Sequence, residues 1–148
     1  MMSMRKTIEM NCIPNGTIHL PPSKSLSHRA LICGALAGEG TILKNPGLNG
    51  EDVAATLACL GEMGLKYRHQ RTDLAVVGGI GNAIKDISTL EEKVLDCGES
   101  GSTLRFLIPL ALLSGAAIIM TGRGRLLQRP LKGYLDTLEA NGGTSRLE

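Results

Sequence analysis

The sequence has no tryptophan, one phenylalanine (Phe106) and two tyrosines (Tyr67 and Tyr134). A core cannot rest on stacked rings and must be filled by Leu, Ile, Val and Ala, which suit contacts between helices and sheets. The same shortage excludes the aromatic platforms on which single-stranded nucleic acid stacks. The 16 basic and 14 acidic residues are scattered, so no basic run tracks a phosphate backbone, and no nucleic-acid partner is expected. Also missing is an apolar run of the roughly 18 residues that a membrane span needs. The nearest, "FLIPLALLSGAAIIM", is interrupted by Pro109 and by Ser114-Gly115, and the opening "MMSMRKTIEMN" has no apolar signal stretch. No membrane association is expected. Cys12, Cys33, Cys59 and Cys97 form no C-x-x-C pair and stand among apolar neighbours, which reads as reduced core thiols in a cytoplasmic protein. The three histidines lack metal-ligand spacing, and neither a metal nor another cofactor is expected.

What is present is enough for a packed core, with 148 residues of which 43% are hydrophobic. "GTIHL" reads as a short strand, and Ser25 to Leu36 as a helix with an apolar stripe of Leu26, Ala30, Ile32-Cys33 and Leu36. "TILKN" is the next strand. Glu51 to Met63 is a second helix with Val53, Ala54, Leu57, Leu60 and Met63 on its inner face and Gly64 at its end. "LKYRHQ" and "DLAVVGG" are two strands joined at Arg71-Thr72. The order is β-α-β-α-β-β.

From Val94 that order starts again: strand "VLDC", turn "GESGS", helix Thr103 to Leu113, strand "AAIIMTG", helix "RPLKGYLDTLEANGG". A shift of 76 residues carries Ser27 to Thr103, Arg29 to Arg105, Leu36 to Leu112 and Ile42 to Ile118. A shift of 78 carries Leu57 to Leu135, Leu60 to Leu138 and Gly64 to Gly142. The fold class expected is α/β (α+β), with one complete unit over residues 17–80 and an incomplete second over 93–148. Stacked neighbours normally cover such units, so a missing C-terminal part, or a second copy in its place, is expected as a partner.

Functional residues gather where helices begin, and a helix N-terminus offers unpaired N–H groups and partial positive charge to an anion. The first mouth carries Ser23, Lys24, Ser25, Ser27 and Arg29; a planar guanidinium suits phosphate or carboxylate. The second carries Gly98, Ser100, Gly101, Ser102 and Thr103, with Arg105 a turn later. "GRGRLLQRP" brings Arg123, Arg125 and Arg129 ahead of Pro130, a suitable first residue for a helix. Each has a plain competing explanation: Ser23 or Ser25 as an ordinary N-cap, "GESGS" as a simple turn, the arginines as a solvated loop, and His28 as a surface or cap residue. Glu51 and Asp52 suit a helix start through the dipole alone. Three cationic entries together suggest a small substrate with more than one anionic group.

"LPPSKSLSHRALICGALAGEGTILKN", "EDVAATLACLGEMG", "DCGESGSTLRFL" and "TGRGRLLQRPLKGYLDTLEANGG" together resemble the N-terminal part of the 5-enolpyruvylshikimate-3-phosphate synthase family, over about Thr17 to Gly143. The resemblance implies two domains of three β-α-β-α-β-β units each, with helix N-termini directed at the cleft between them. It also implies a transferase of the shikimate pathway of aromatic amino-acid biosynthesis. Its reaction moves the enolpyruvyl group of phosphoenolpyruvate to the 5-hydroxyl of shikimate 3-phosphate and releases phosphate. By resemblance Lys24 bridges both substrates as the catalytic residue of this part, Ser25 and Arg29 bind shikimate 3-phosphate, and Gly101 with Arg129 holds phosphoenolpyruvate. Asp52, Glu99 and Ser102 are further possible site residues, and Arg105 is structural.

Some relatives have Asn where Glu99 stands, and a carboxylate there repels an anion unless it turns outward or pairs with an arginine. The resemblance also assigns the proton-transfer groups to the absent C-terminal part, so that this chain alone is expected to lack turnover. Two alternatives stand beside this. One is a noncatalytic folding or half-binding module. The other is the related UDP-N-acetylglucosamine enolpyruvyl transferase family, which has Lys-Asn at Lys24-Ser25 and a cysteine where this chain has Gly124.

Overall fold

The computed structural model describes Thr7 and residues 15–81, 93–115 and 117–145. After an extended stretch come α1 (Lys24–Ala37), β1 (Ile42–Leu43), α2 (Glu51–Glu62), β2 (Lys66–Gln70) and β3 (Asp73–Gly78). They are followed by β4 (Lys93–Asp96), α3 (Gly101–Ser114), β5 (Ile118–Thr121), a 3-10 turn (Gly124–Gln128) and α4 (Lys132–Ala140). β3 lies between β1 and β2 and is antiparallel to both, whereas β4 and β5 pair in parallel. The class is α/β, as expected from the sequence.

The boundaries follow from local chemistry. Ser23 caps α1, and Gly38, at φ 89°, ends it in a conformation that a side chain resists. α2 starts at Gly50 without a side-chain cap, and Glu51 and Asp52 complement its dipole instead. It stops where Gly64 takes φ 102° and the Leu65 N–H donates back to the Leu60 carbonyl at 2.9 Å, turning the chain into β2. The β2–β3 turn places Arg71 at φ 57°.

α2 is the central element, packed on α1, α3 and β4. Its Val53, Leu57, Leu60 and Met63 meet Leu31 and Ala35 of α1, Leu74 and Val76 of β3, Leu95 of β4 and Leu104 and Leu107 of α3 in one core. As expected, no aromatic ring is needed to fill it. Beyond β3, the Ile80 N–H donates to the Ala35 carbonyl at 2.9 Å, and Gly79 passes so close to α1 that a Cβ there would stand 2.5 Å from Gly38 Cα.

Several sequence expectations are corrected. "GTIHL" is not a strand: residues 17–20 pair with nothing among the described residues, and Ile18 and Leu20 are exposed. "TILKN" shrinks to the two residues of β1, since Asn45 at φ 41° bends the chain away. On α1 the buried face is Ser27, His28, Leu31, Gly34 and Ala35, while Leu26, Cys33 and Leu36 face outward. α1 carries apolar residues nearly all round, so periodicity alone picks no side. Ala54 is likewise outside, and Thr56 and Cys59 take its place within. Cys33 is therefore no core thiol, whereas Cys59 and Cys97 are buried; Cys12 lies outside the described residues. α3 begins at Gly101 rather than Thr103, because Ser100 is its cap. β5 starts at Ile118; Ala116, where that strand was expected to begin, is outside the described residues. Pro130 precedes α4 instead of opening it, since Leu131 is the cap residue.

Candidate functional site

At the mouth of α1 one serine caps and the other does not. Ser23 Oγ accepts from the Leu26 N–H at 3.5 Å, and its carbonyl accepts from Ser27 Oγ at 2.9 Å. Ser25 is left outside the cap, where Arg29 Nη1 donates to its hydroxyl at 2.5 Å and to its carbonyl at 2.9 Å. The Arg29 guanidinium also stands 5.0 Å from the centre of the Phe106 ring, a cation–π contact that ties it to α3. Lys24 Nζ donates to Asp52 Oδ2 at 2.6 Å, linking the mouths of α1 and α2. Lys24, Ser25 and Arg29 are all exposed, with Lys24 engaged by Asp52 and the Ser25 hydroxyl by Arg29.

The mouth of α3 is built differently. Gly98, at φ 58°, lets the chain leave β4 in a tight turn, and its N–H donates to Asp96 Oδ1 at 2.8 Å. Ser100 Oγ then accepts from the Thr103 N–H at 3.1 Å. Gly101 is packed so closely by arginine that a Cβ would overlap Arg129 Nη1 and lie 3.0 Å from Arg105 Nη1. Arg105 Nη2 donates to the Pro130 carbonyl at 3.5 Å, holding the segment that carries Arg129. The structure thus brings Gly101 and Arg129 together and gives Arg105 a structural contact. Ser102 is exposed on the first turn of α3.

Glu99 is turned toward the 3-10 turn. Its carboxylate lies over Gly124, where Oε1 would be 2.5 Å from an added Cβ, and Gly124, at φ 59°, leaves room for it. Among the described residues Glu99 forms no ion pair, while Arg123 Nη1 pairs loosely with Asp96 Oδ2 at 3.8 Å.

A buried polar cluster joins the three mouths. His28 Nδ1 is 2.7 Å from Thr56 Oγ1, which is 2.7 Å from Thr103 Oγ1. Thr103 Oγ1 is 2.7 Å from Ser100 Oγ and 3.1 Å from the Asp52 carbonyl. The expectation that His28 is a surface or cap residue is therefore wrong: it has 0% exposure. Burial holds its pKa below the ordinary 6.5; nearby Asp52 opposes this, and Lys24 and Arg29 add to it. Sequence reasoning missed Thr56 and Thr103 as joining residues. The available signal was a hydroxyl in the middle of an otherwise apolar helical face, as at Thr56 between Val53 and Leu60.

Nearby, Cys59 Sγ donates to the Asp96 carbonyl at 3.3 Å, and the adjoining Cys59 thiol together with burial pushes the Cys97 thiol up, so that it stays protonated. Among the described residues no group of three His, Cys, Asp or Glu is placed to hold a metal ion, and no helix is long and apolar enough to cross a membrane.

Three helix starts thus lie side by side, and known proteins are similar to this chain over the elements that carry them. The family described as EPSP synthase (3-phosphoshikimate 1-carboxyvinyltransferase) matches residues 13–146. A 3-phosphoshikimate 1-carboxyvinyltransferase of Clostridium perfringens strain SM101 is 38% identical over 136 residues, covering 92% of this chain and 31% of the relative. The protein of that name from Clostridium novyi is 40% identical, covering 86% of this chain and 30% of the relative. The solved EPSP synthase from Acinetobacter baumannii superposes with a TM-score of 0.67 at 28% identity, covering 87% of this chain and 28% of that one. This chain thus spans about three-tenths of the length of the relatives it matches. All the elements that bear the site, from α1 to α4, fall within the matched residues 13–146, and the chain belongs to the EPSP synthase (3-phosphoshikimate 1-carboxyvinyltransferase) family.

Proposed function

We propose that these residues form one wall of the active site of a 3-phosphoshikimate 1-carboxyvinyltransferase, a cofactor-free enzyme of cytoplasmic aromatic amino-acid biosynthesis. In that reaction the 5-hydroxyl oxygen of shikimate 3-phosphate adds to the phosphate-bearing C2 of phosphoenolpyruvate, losing its proton as another is delivered to C3, and the tetrahedral adduct then gives up a C3 proton and expels phosphate to restore the double bond. Both substrates carry phosphate and carboxylate, so much of the catalytic demand is to hold several negative charges close together in a fixed orientation. In this reading residues 17–80 and 93–148 are two neighbouring β-α-β-α-β-β units, the second incomplete. Ser25 and Arg29 take shikimate 3-phosphate, the Gly101 backbone with Arg129 takes phosphoenolpyruvate, and Lys24 lies between the two and bridges them.

The observation that carries this reading is the meeting of two cationic helix mouths through Asp52. Its carboxylate pairs with Lys24 at 2.6 Å, and its carbonyl is 3.1 Å from the hydroxyl of Thr103, which lies on the same first turn of α3 as Gly101, where Arg129 packs. Two separated anion sites would suit a generic anion binder, whereas two joined sites suit a pair of anionic reactants. The test is of binding rather than turnover, because the chain spans about 31% of the length of its relatives. Shikimate 3-phosphate, phosphoenolpyruvate and a UDP-sugar are titrated into the 148-residue chain, followed by amide-resolved NMR. Saturable shifts around Lys24 to Arg29 with shikimate 3-phosphate, lost in Lys24→Ala, are expected. A folded chain that responds to the UDP-sugar alone, or to none of the three, overturns the reading.

A further inference from the structure

Four buried side chains from three helices share a short run of hydrogen bonds, and counting their protons assigns the one histidine in it. Three contacts of 2.7 Å connect His28 Nδ1, Thr56 Oγ1, Thr103 Oγ1 and Ser100 Oγ in series, and each needs one proton. Two further contacts reach the Asp52 carbonyl, from Thr103 Oγ1 at 3.1 Å and from Thr56 Oγ1 at 3.3 Å. The three hydroxyls supply three protons. If His28 Nδ1 accepts, those protons are consumed along the series, and neither Thr103 nor Thr56 has one left for the Asp52 carbonyl. The same tautomer also puts an N–H on Nε2, which is buried and has no partner among the described residues, and an orphaned N–H is among the rarest features of folded proteins. If instead Nδ1–H donates to Thr56, Thr56 donates to Thr103, Ser100 donates to Thr103, and Thr103 donates to the Asp52 carbonyl. Every contact is then served except the longest, the 3.3 Å one from Thr56 Oγ1 to the Asp52 carbonyl, and Nε2 keeps a bare lone pair.

We infer that His28 is a positioning residue, held as the neutral Nδ1–H tautomer, which acts through Thr56 and Thr103 to fix the Asp52 carbonyl and so register the mouths of α1, α2 and α3. What it positions, the Lys24–Asp52 pair beside Gly101 and Arg129, takes its meaning from the proposed active site. The groups facing the imidazole agree with a neutral ring. From α1 come Lys24 and Arg29, from α2 Asp52 and Thr56, and from α3 the Phe106 ring, whose centre is 6.3 Å from that of His28. Burial of the ring outweighs the pull of Asp52 toward a second proton, and the two cations oppose that proton as well.

The test reads ligand-free protein, so it can fail or succeed apart from the functional reading. Ring nitrogen NMR of wild-type chain is expected to show a pyrrole-type Nδ1 and a pyridine-type Nε2 that persist below the ordinary titration point of 6.5. Nuclear Overhauser contacts from the His28 Hδ1 to the Thr56 hydroxyl proton are expected as well. Thr103→Val should move the His28 ring nitrogens and the amides of Lys24 and Asp52, while Thr103→Ser, which keeps the hydroxyl, should restore them. An Nε2–H tautomer, or a ring that becomes cationic near 6.5, overturns the assignment. A Thr103→Val change confined to α3 overturns the positioning role. Should Thr103→Val not fold, Thr56→Ser against Thr56→Ala makes the same comparison from α2. Wild-type protein with the assigned tautomer but no affinity for shikimate 3-phosphate would instead count against the functional reading alone.

Discussion

Lys24 Nζ lies 2.6 Å from Asp52 Oδ2, so the leading cation of α1 is already held by a carboxylate of α2. An anionic ligand must share that cation with Asp52 or displace it. The pair is largely solvated, and such pairs contribute about 0–1 kcal/mol to stability.

Asp52→Asn should accordingly leave the melting temperature almost unchanged. It should raise affinity for inorganic phosphate at the α1 mouth, roughly fivefold for about 1 kcal/mol of removed competition. Phosphate titration at two salt concentrations checks this, and unchanged or weaker binding in the variant would show that Asp52 orients Lys24 rather than occupying it.

Gly101→Ala places a methyl against Arg129 Nη1 and Arg105 Nη1, the ends of flexible side chains. The fold should absorb it at a cost under about 1 kcal/mol, while the guanidinium of Arg129 is pushed off the α3 mouth. The expected result is weaker binding of phosphoenolpyruvate with little change in binding of shikimate 3-phosphate, measured by calorimetry on the folded variant.

Gly79→Ala should behave in the opposite way. Its Cβ would stand 2.5 Å from Gly38 Cα and 2.7 Å from the Ala35 carbonyl, both backbone atoms that cannot swing aside. A loss of about 1–3 kcal/mol is expected from urea unfolding, with no specific effect on either anion once the protein is folded.

The buried, neutral His28 makes stability depend on pH with a definite sign. Its folded pKa lies below 6.5, so below about that pH the unfolded chain binds more protons than the folded one. The stability it contributes is complete above about 6.5 and is lost as pH falls toward the folded value. Urea midpoints compared between about pH 5 and 8 should fall on the acid side, and His28→Asn should flatten that part of the slope.

The thiols should separate by location. Cys33 is exposed on α1 and should react with a maleimide in native protein, whereas Cys59 and Cys97 should react only after unfolding, as mass spectrometry of the labelled peptides will show. Prompt native labelling of Cys97 would contradict the packing between α2 and β4.

The helices and the β2–β3 hairpin were legible where their ends are chemically marked: Ser23 as a cap, Gly64 as a stop, Arg71-Thr72 as a turn. The cationic mouths were legible for the same reason, since a cap position is read from a few adjacent residues. What could not be read was which side of α1 turns inward. With Leu26, Leu31, Cys33, Ala35 and Leu36 spread around it, the choice is made by partners distant in sequence, namely Thr56 and Thr103, which draw His28 inside. The 3-10 turn and the late start of α4 escaped as well, because Arg129 and Pro130 look alike as a helix entry or as its approach. The contact of Arg129 with Gly101 joins residues far apart in the chain, so no local pattern announces it.

α4 has no buried residue, and the 3-10 turn before it is pinned by Leu126 alone among its five residues. Segments so lightly packed open at a lower free-energy cost than the core does. Arg129 lies between these two segments, so the docked arrangement that presents it is one member of a local equilibrium. The apparent dissociation constant for any anion gripping Arg129 is the intrinsic constant divided by the docked fraction. Strengthening the seat of α4, far from any ligand atom, would therefore tighten binding without touching the site.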